Sequence, residues 1–170
     1  MRLLRLASDN RTEGLFSVSS ALLLFLLTCL LSARGQTSQS ESLDLSDLSQ
    51  QAMAAQRRGD YRGAAAIYER ILQHQPDSPE IRSNLGLMHH FLGEYQKAIS
   101  DFELALHGNP RLYVANLFLG LDLLTLHAPQ KALPYLQRAC DLNQHDPQAQ
   151  VGLAAAYLAL RNRDKARDAY

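Results

Sequence analysis

The chain has 170 residues, of which 46% are hydrophobic and 20% are charged, a composition typical of a folded globular protein rather than a disordered one. Its 17 basic and 17 acidic residues give a formal net charge of zero, so the chain lacks the electrostatic footprint of a nucleic-acid-binding protein. Because it contains only two cysteines, a disulfide framework is excluded as well.

An apolar segment near the N-terminus is predicted to direct the chain to a membrane. Residues 14–33 contain no charged side chain, and three arginines precede them. This pattern, with cleavage near Ala33 or Gly35, is typical of a secretory signal peptide. Twenty uncharged residues can also cross a bilayer, so an uncleaved signal anchor stays open, although the leucine-rich centre is short for a span. Under both interpretations the basic N-terminus stays in the cytoplasm and the rest of the chain lies outside it.

A lipoprotein acylated at Cys29 is a third interpretation of the same segment. The sequence favours it less, because Thr28 is larger than the small residues of such sites and two more leucines follow the cysteine. Residues 36–44 are polar and rich in Ser and Gln, which predicts a short flexible linker. We therefore expect a signal peptide or signal anchor over residues 1–35, a linker over 36–44 and one folded region over 45–170.

Helical periodicity begins near Leu45 and continues to the C-terminus. The first predicted helix ends at about Arg58, and Gly59-Asp60 marks the turn after it. The second begins at Tyr61 and ends near His74, because Pro76 cannot continue a helix and restricts the residue before it. The same pattern predicts further helices at about 80–92, 95–107, 112–126, 130–142, 148–160 and from 163 onward.

Particular residue types recur along this region at a constant interval of 34 residues. The recurring sets are Gly59 and Gly93; Tyr61 and Tyr95; Ala64, Ala98, Ala132 and Ala166; Gly86 and Gly120; Ala105 and Ala139; Pro76 and Pro110. Independent helices would not share one register. The sequence therefore predicts repeated units, each made of two helices.

The second unit resembles a tetratricopeptide repeat, which has this period. It carries the family pattern at Leu85-Gly86, Gly93-Glu94-Tyr95, Ala98 to Phe102, Ala105-Leu106 and Pro110. The resemblance covers about Leu45 to Tyr170 and implies an all-α fold, a right-handed α-solenoid of antiparallel helix pairs preceded by an N-terminal hydrophobic helix. Three full repeats are expected at 45–78, 79–112 and 113–146, with a partial fourth at 147–170.

Small residues in this register predict close contact between the two helices of each unit. The expected contact pairs are Ala52/Ala64, Gly86/Ala98, Gly120/Ala132 and Ala154/Ala166. Larger residues are expected to fill the space between one unit and the next, namely Tyr68, Phe102, Leu136 and Tyr170. A single helix pair cannot bury its apolar stripe alone, so stability is expected to come from stacking.

The later units depart from the family pattern. The third has His127-Ala128-Pro129 in place of Gly-x-Tyr, and Gln144 where a proline is expected. The fourth reaches Tyr170 partway through its second helix without a polar capping element. We expect the chain to be a fragment, a truncated product or the start of a longer array.

The resemblance also implies that the first helix of each unit lines a concave groove. The groove residues expected on this basis are Met53, Arg57, Leu87, His90, Phe91, Leu117, Leu121, Leu124, Val151 and Leu158. Family members that hold a peptide carboxylate carry Lys, Arg or Asn at such positions, whereas Leu87 and Leu121 stand here. The predicted ligand is therefore an amphipathic helix or apolar segment of a partner protein. The alternative is that neighbouring helices or further repeats cover these side chains.

No catalytic or metal-binding pattern accompanies the repeats. The sequence contains no P-loop, dinucleotide or nucleophile-elbow motif, so we expect neither an enzyme nor a cofactor. His89 and His90 are adjacent, and adjacent helical residues point about 100° apart, so they are not expected to bind one metal ion. Cys140 occupies a position where the pattern predicts a buried apolar residue.

The leading hypothesis is a protein-interaction scaffold outside the cytoplasm, with a protein or peptide partner and no nucleic acid. The alternative is a spacer or recruitment part of a larger exported enzyme or envelope assembly factor whose active region lies beyond Tyr170. A membrane-tethered scaffold is the third possibility, and it depends on whether residues 14–33 are retained.

Overall fold

A computed structural model describes residues 45–169, which fold into helices and turns without a strand in that range. The apolar segment predicted at residues 14–33 lies outside the described residues. The described helices are α1 (residues 45–57), α2 (Tyr61–His74), α3 (Pro79–Phe91), α4 (Tyr95–Gly108), α5 (Tyr113–Thr125), α6 (Pro129–Leu142), α7 (Pro147–Ala159) and α8 (Arg163–Asp168). Over this range, no helix has the length and apolar character needed to cross a bilayer.

The helices stack as consecutive antiparallel pairs. Each helix from α2 onward packs against the next, and α5 also packs against the two first helices on either side of it, α3 and α7. This arrangement confirms the predicted all-α solenoid, and the helix ends lie within one residue of their predicted positions. The first helices therefore lie side by side and form one face of the stack.

The turn inside every helix pair has the same backbone conformation. The second residue after each first helix has a positive φ, at Gly59 (77°), Gly93 (74°), His127 (57°) and Arg161 (59°). Each turn also repeats two hydrogen bonds; in the second, the Gly93 N–H donates to His90 O and the Glu94 N–H donates to His89 O, both at 2.9 Å. This is the Schellman arrangement, which satisfies the last carbonyls of a helix. The third and fourth pairs thus keep the turn although they lack its glycine.

The glycines inside the first helices allow a large side chain of the second helix to approach. A Cβ atom added at Gly86 would lie 2.8 Å from the Phe102 ring, and one added at Gly120 would lie 2.5 Å from Leu136 Cγ. The large residues 16 positions later thus lie directly against these glycines. Ala98 and Ala132, the predicted contact residues on the second helices, are buried in the core.

The same large side chains join one helix pair to the next, as predicted. The Phe102 ring stacks on the Phe118 ring of α5, with centroids 6.5 Å apart. One repeat later, Leu136 packs against Gly152 of α7, where an added Cβ would lie 3.0 Å from it. A pair of aromatic rings at one junction is thus replaced by a leucine and a glycine at the following junction. Tyr170, the predicted counterpart in the fourth repeat, lies outside the described residues.

In each loop between repeats, a backbone carbonyl accepts a hydrogen bond from one side chain of the first helix that follows. Arg82, Asn116 and Gln150 occupy equivalent positions, six residues after the carbonyl to which each donates. They bond Pro76 O (3.4 Å), Pro110 O (3.1 Å) and Gln144 O (2.8 Å), respectively. The absence of a proline at position 144 therefore leaves this loop contact intact.

We expect His127→Gly to stabilise the fold by about 0.5–1 kcal/mol, because a residue with a Cβ is strained at positive φ whereas glycine is not. The matched control is Gly93→Ala at the equivalent position, which should destabilise by about 1 kcal/mol. Urea unfolding followed by circular dichroism measures both. If both substitutions destabilise the protein, the turn at His127 does not have the strain proposed here.

Candidate functional site

Nine of the ten predicted groove residues are exposed or half-buried. Met53 and Phe91 are exposed at 47% and 46%, and Arg57 is exposed beside them. Leu87, His90, Leu121 and Leu124 are half-buried. Val151 and Leu158 are exposed at 49% and 57%, but within the described residues no first helix follows α7 to cover them. The face of the first helices is therefore apolar and only partly covered.

Leu117 does not belong to the groove surface, contrary to the prediction. It is only 2% exposed and packs in the main hydrophobic core. Ser83, which is equivalent in the preceding repeat, is also buried, whereas the equivalent Val151 is exposed. The physical reason is that this position faces the first helix of the following repeat, which covers α3 and α5 but not α7.

Aromatic rings join three successive repeats at the edge of this face. Phe91 stacks on Tyr61 of α2 with ring centroids 4.7 Å apart, and it also meets Phe118 of α5 edge-on at 6.1 Å. His90 packs edge-on against the same Phe118 ring at 4.7 Å and against Tyr95 at 5.9 Å. Phe91 is thus held in position by neighbours on both sides while nearly half of it stays exposed.

His90 is bonded to a carboxylate of the next repeat. Its Nδ1 lies 2.5 Å from Oδ1 of Asp122, which is fully buried on α5. The second carboxylate oxygen, Oδ2, is buried with no hydrogen-bond partner among the described residues. In the sequence, Asp122 stands out as a charged residue inside a nearly apolar helix, but the sequence does not identify its partner.

His89 belongs to a separate polar network inside its own helix pair. Its Nδ1 lies 2.8 Å from Oδ2 of Asp101 on α4, and Arg82 Nη1 lies 3.5 Å from Oδ1 of the same carboxylate. Burial raises the pKa of Asp101, and the neighbouring His89 and Arg82 oppose that change. The adjacent histidines therefore bond carboxylates on different helices, as their directions on a helix require.

The described residues present no metal-binding or nucleophilic group at the groove. Among them, no set of three His, Cys, Asp or Glu side chains is placed to hold a metal ion. Cys140 is a half-buried free thiol that packs against the hydrophobic core, at a position where a buried apolar residue was predicted. Burial, followed by the nearby Asp141 and Asp146 carboxylates, raises its pKa, so the reactive thiolate form is disfavoured.

A polar contact fixes the start of α7. The Tyr113 hydroxyl on α5 donates to Asp146, whose other carboxylate oxygen caps α7 by accepting from the Gln148 N–H at 2.7 Å. The hydrogen bond from Tyr113 is the main reason that the pKa of Asp146 is lowered. Together with the His90–Asp122 pair, this contact gives polar links between successive first helices.

The opposite side of the stack carries an open cavity of about 500 Å³ between the second helices α4 and α6. Ile99, Leu123, Pro134 and Tyr135 contribute apolar walls, and Glu103 and Lys131 carry opposite charges there. This cavity lies away from the predicted groove, and none of the groove residues lines it.

Comparisons with known proteins agree with this architecture. Residues 50–117 and residues 119–170 each match a family model described as tetratricopeptide repeat. No curated protein sequence matches the chain. One similar solved structure is MamA (residues 41 to the end) from Desulfovibrio magneticus RS-1, with a TM-score of 0.69 and 25% identity over 74% of this chain and 71% of that one.

Two further solved structures share the fold. The first tetratricopeptide repeat domain of Spaghetti (RPAP3), solved with the HSP90 peptide SRMEEVD, has a TM-score of 0.66 and 21% identity over 69% of this chain and 93% of that one. The Sgt2 domain from Aspergillus fumigatus has a TM-score of 0.64 and 22% identity over 72% and 82% of the two chains. At these identities the likeness shows the fold alone.

We expect His90→Leu to destabilise the protein by about 3 kcal/mol, because it leaves the buried Asp122 carboxylate with no partner. The double variant with Asp122→Ala should be more stable than His90→Leu alone. The same residue types occur one repeat later in this chain, where Leu124 is equivalent to His90 and Ala156 is equivalent to Asp122. Urea unfolding of both single variants and the double variant gives the coupling free energy, and a coupling near zero would contradict the proposed link.

Proposed function

Because the chain belongs to the tetratricopeptide repeat family, we propose that it is a non-enzymatic scaffold that binds a segment of a partner protein on the face of its first helices. The observation that carries this proposal is the exposure of Phe91. This ring lies in the second repeat, with described helices on both sides, and is still 46% exposed. Its exposure therefore cannot be attributed to the end of the array.

The chemistry of this face favours an apolar partner segment. Met53, Leu87 and Leu121 occupy one position in three successive repeats, and all three are at least partly exposed. Rows of apolar side chains along a helical groove suit the apolar stripe of an amphipathic helix. The RPAP3 domain was solved with an acidic peptide, but in this chain leucines stand where carboxylate capture requires Lys, Arg or Asn. We therefore propose recognition through apolar contacts.

The placement of the polar side chains supports a scaffold rather than an enzyme. Both His–Asp pairs lie between helices, where His89 is bonded to Asp101 and His90 to Asp122. Each aspartate is buried and links two packed helices, so neither pair presents an unengaged base to a substrate. Their arrangement supports a role in holding the face together.

We expect Met53→Gln combined with Phe91→Gln to weaken binding of an apolar helical peptide at least tenfold, because the peptide loses two exposed apolar contacts. The peptide is selected from a library of amphipathic helices on the full chain and measured by fluorescence polarisation. Leu104→Gln is the matched control, since Leu104 is 54% exposed but lies on the second helix α4. Equal loss in the control, or none in the double variant, would contradict binding at this face.

The proposed location is outside the cytoplasm, on the basis of the uncharged residues 14–33 after a basic start. We expect a C-terminal alkaline phosphatase fusion to be active in a secreting bacterial host and Leu24→Arg to abolish that activity, because a charge interrupts the apolar segment. An inactive unsubstituted fusion would contradict the location. Mass spectrometry of the N-terminus separates a cleaved signal, starting near Arg34 or Gln36, from a retained anchor.

A further inference from the structure

The turns inside the four helix pairs form one edge of the solenoid, which we call the turn edge and define as residues 57–63, 91–97, 125–131 and 159–165. Two interactions show that the first and second turns are adjacent in space. The Tyr61 ring after the first turn stacks on the Phe91 ring before the second at 4.7 Å. Arg62 of the first turn also interacts electrostatically with Glu94 and Lys97 of the second.

Charge is separated between the two edges of the solenoid, although the whole chain is neutral. The turn edge contains eight Lys and Arg residues against three carboxylates, a net charge of +5. The loops at the opposite edge, residues 75–81, 109–115 and 143–149, contain three carboxylates against one arginine, a net charge of −2. The turn edge is thus a basic surface that the overall composition conceals.

Most of the basic side chains on this edge are free to bind a ligand. Arg57, Arg58 and Arg62 are exposed at the first turn, and Arg161 and Arg163 are exposed at the fourth. None of these five forms an ion pair with another described residue, whereas Lys97 at the second turn pairs with Glu94 at 2.8 Å. The uncompensated charge is therefore greatest at the two ends of the edge, with the exposed Lys131 between them at the third turn.

Apolar and aromatic side chains lie among these charges. Phe91 and Leu126 are exposed on the turn edge, and Leu158 is exposed immediately before its fourth segment. The half-buried Tyr61 and Tyr95 begin the second helices at the same edge. Basic side chains attract anionic headgroups, while exposed apolar and tyrosine side chains enter the boundary between headgroups and acyl chains.

We propose that the turn edge binds an anionic lipid surface. An acidic protein or a single-stranded nucleic acid can also use basic and aromatic side chains together, so vesicle binding is the measurement that separates the lipid surface from these partners. If residues 14–33 are retained as a signal anchor, they would hold the solenoid close to such a surface. The acidic edge of a second copy is the competing partner, but its net charge of −2 is small beside +5. Phe91 belongs to both the partner face and the turn edge. Arg58, Arg161 and Arg163 are not among the predicted groove residues, so substituting them tests the lipid contact separately from partner binding.

The test is flotation of the full chain with vesicles of phosphatidylcholine, alone or with about 30 mol% phosphatidylglycerol. The measured quantity is the ratio of the two partition coefficients. We expect Arg58→Gln, Arg161→Gln and Arg163→Gln together to lower this ratio by about 10- to 100-fold, since each basic side chain near the surface contributes about fivefold. Raising the salt concentration should reduce the ratio of the unsubstituted chain as well.

The matched control combines Arg70→Gln, Arg111→Gln and Arg138→Gln, three exposed arginines outside the turn edge, and should change the ratio by less than about twofold. Residues 1–44 are the same in all three proteins, so the comparison isolates the folded region. Circular dichroism melting checks that each variant is folded.

Two outcomes would overturn the proposal. An unchanged ratio in the turn-edge variant, or an equal fall in the control, excludes the turn edge as the lipid contact. If the ratio is unchanged and the turn-edge variant also loses self-association in sedimentation without vesicles, the edge binds a second copy.

Discussion

The close approach of a large side chain to a glycine governs this structure. Phe102 lies over Gly86, and Leu136 lies over Gly120, at distances that any added Cβ would violate. The two helices of a pair can therefore approach closely, and the large side chain extends to the next pair, where Phe102 meets Phe118. One side chain thus closes its own helix pair and also binds the following one. Because stability in such arrays comes from neighbouring interfaces, this contact connects local geometry to the whole stack.

Polar links between the first helices shape the face that this packing creates. His90 reaches Asp122 of the next repeat, and Tyr113 reaches the Asp146 cap of the one after. These contacts are specific to individual junctions, whereas the side chains that hold the loops recur in three repeats. A regular backbone is thus combined with polar contacts that differ from junction to junction. The exposed face is apolar, and the polar groups that hold it are placed beneath it.

The backbone conformation of the turns is the same in all four repeats, whereas their side chains differ. Their backbone keeps positive φ in all four repeats, although His127 and Arg161 replace the glycines of the first two. The two hydrogen bonds that recur in every turn join backbone atoms, so most side chains at this edge can vary. Asp60 and Asn162, whose side chains cap the second helices α2 and α8, are exceptions. Basic and apolar residues accumulate there, and the stack brings together charges that are 34 residues apart in the chain. A neutral chain thereby acquires a basic edge.

The sequence by itself determined the repeat period, the helix ends and the fold class, because these depend on short-range patterns of glycine, proline and apolar residues. Through the family resemblance, it also predicted which helix of each pair forms the proposed partner face. Only the tertiary structure decided which side chains on that face are accessible: Leu117 is buried, whereas Phe91 is exposed. It also decided that His90 would bond Asp122, 32 residues away. The physical reason is that burial and pairing depend on how far each helix rotates against its neighbour, and a period in the sequence does not specify that rotation.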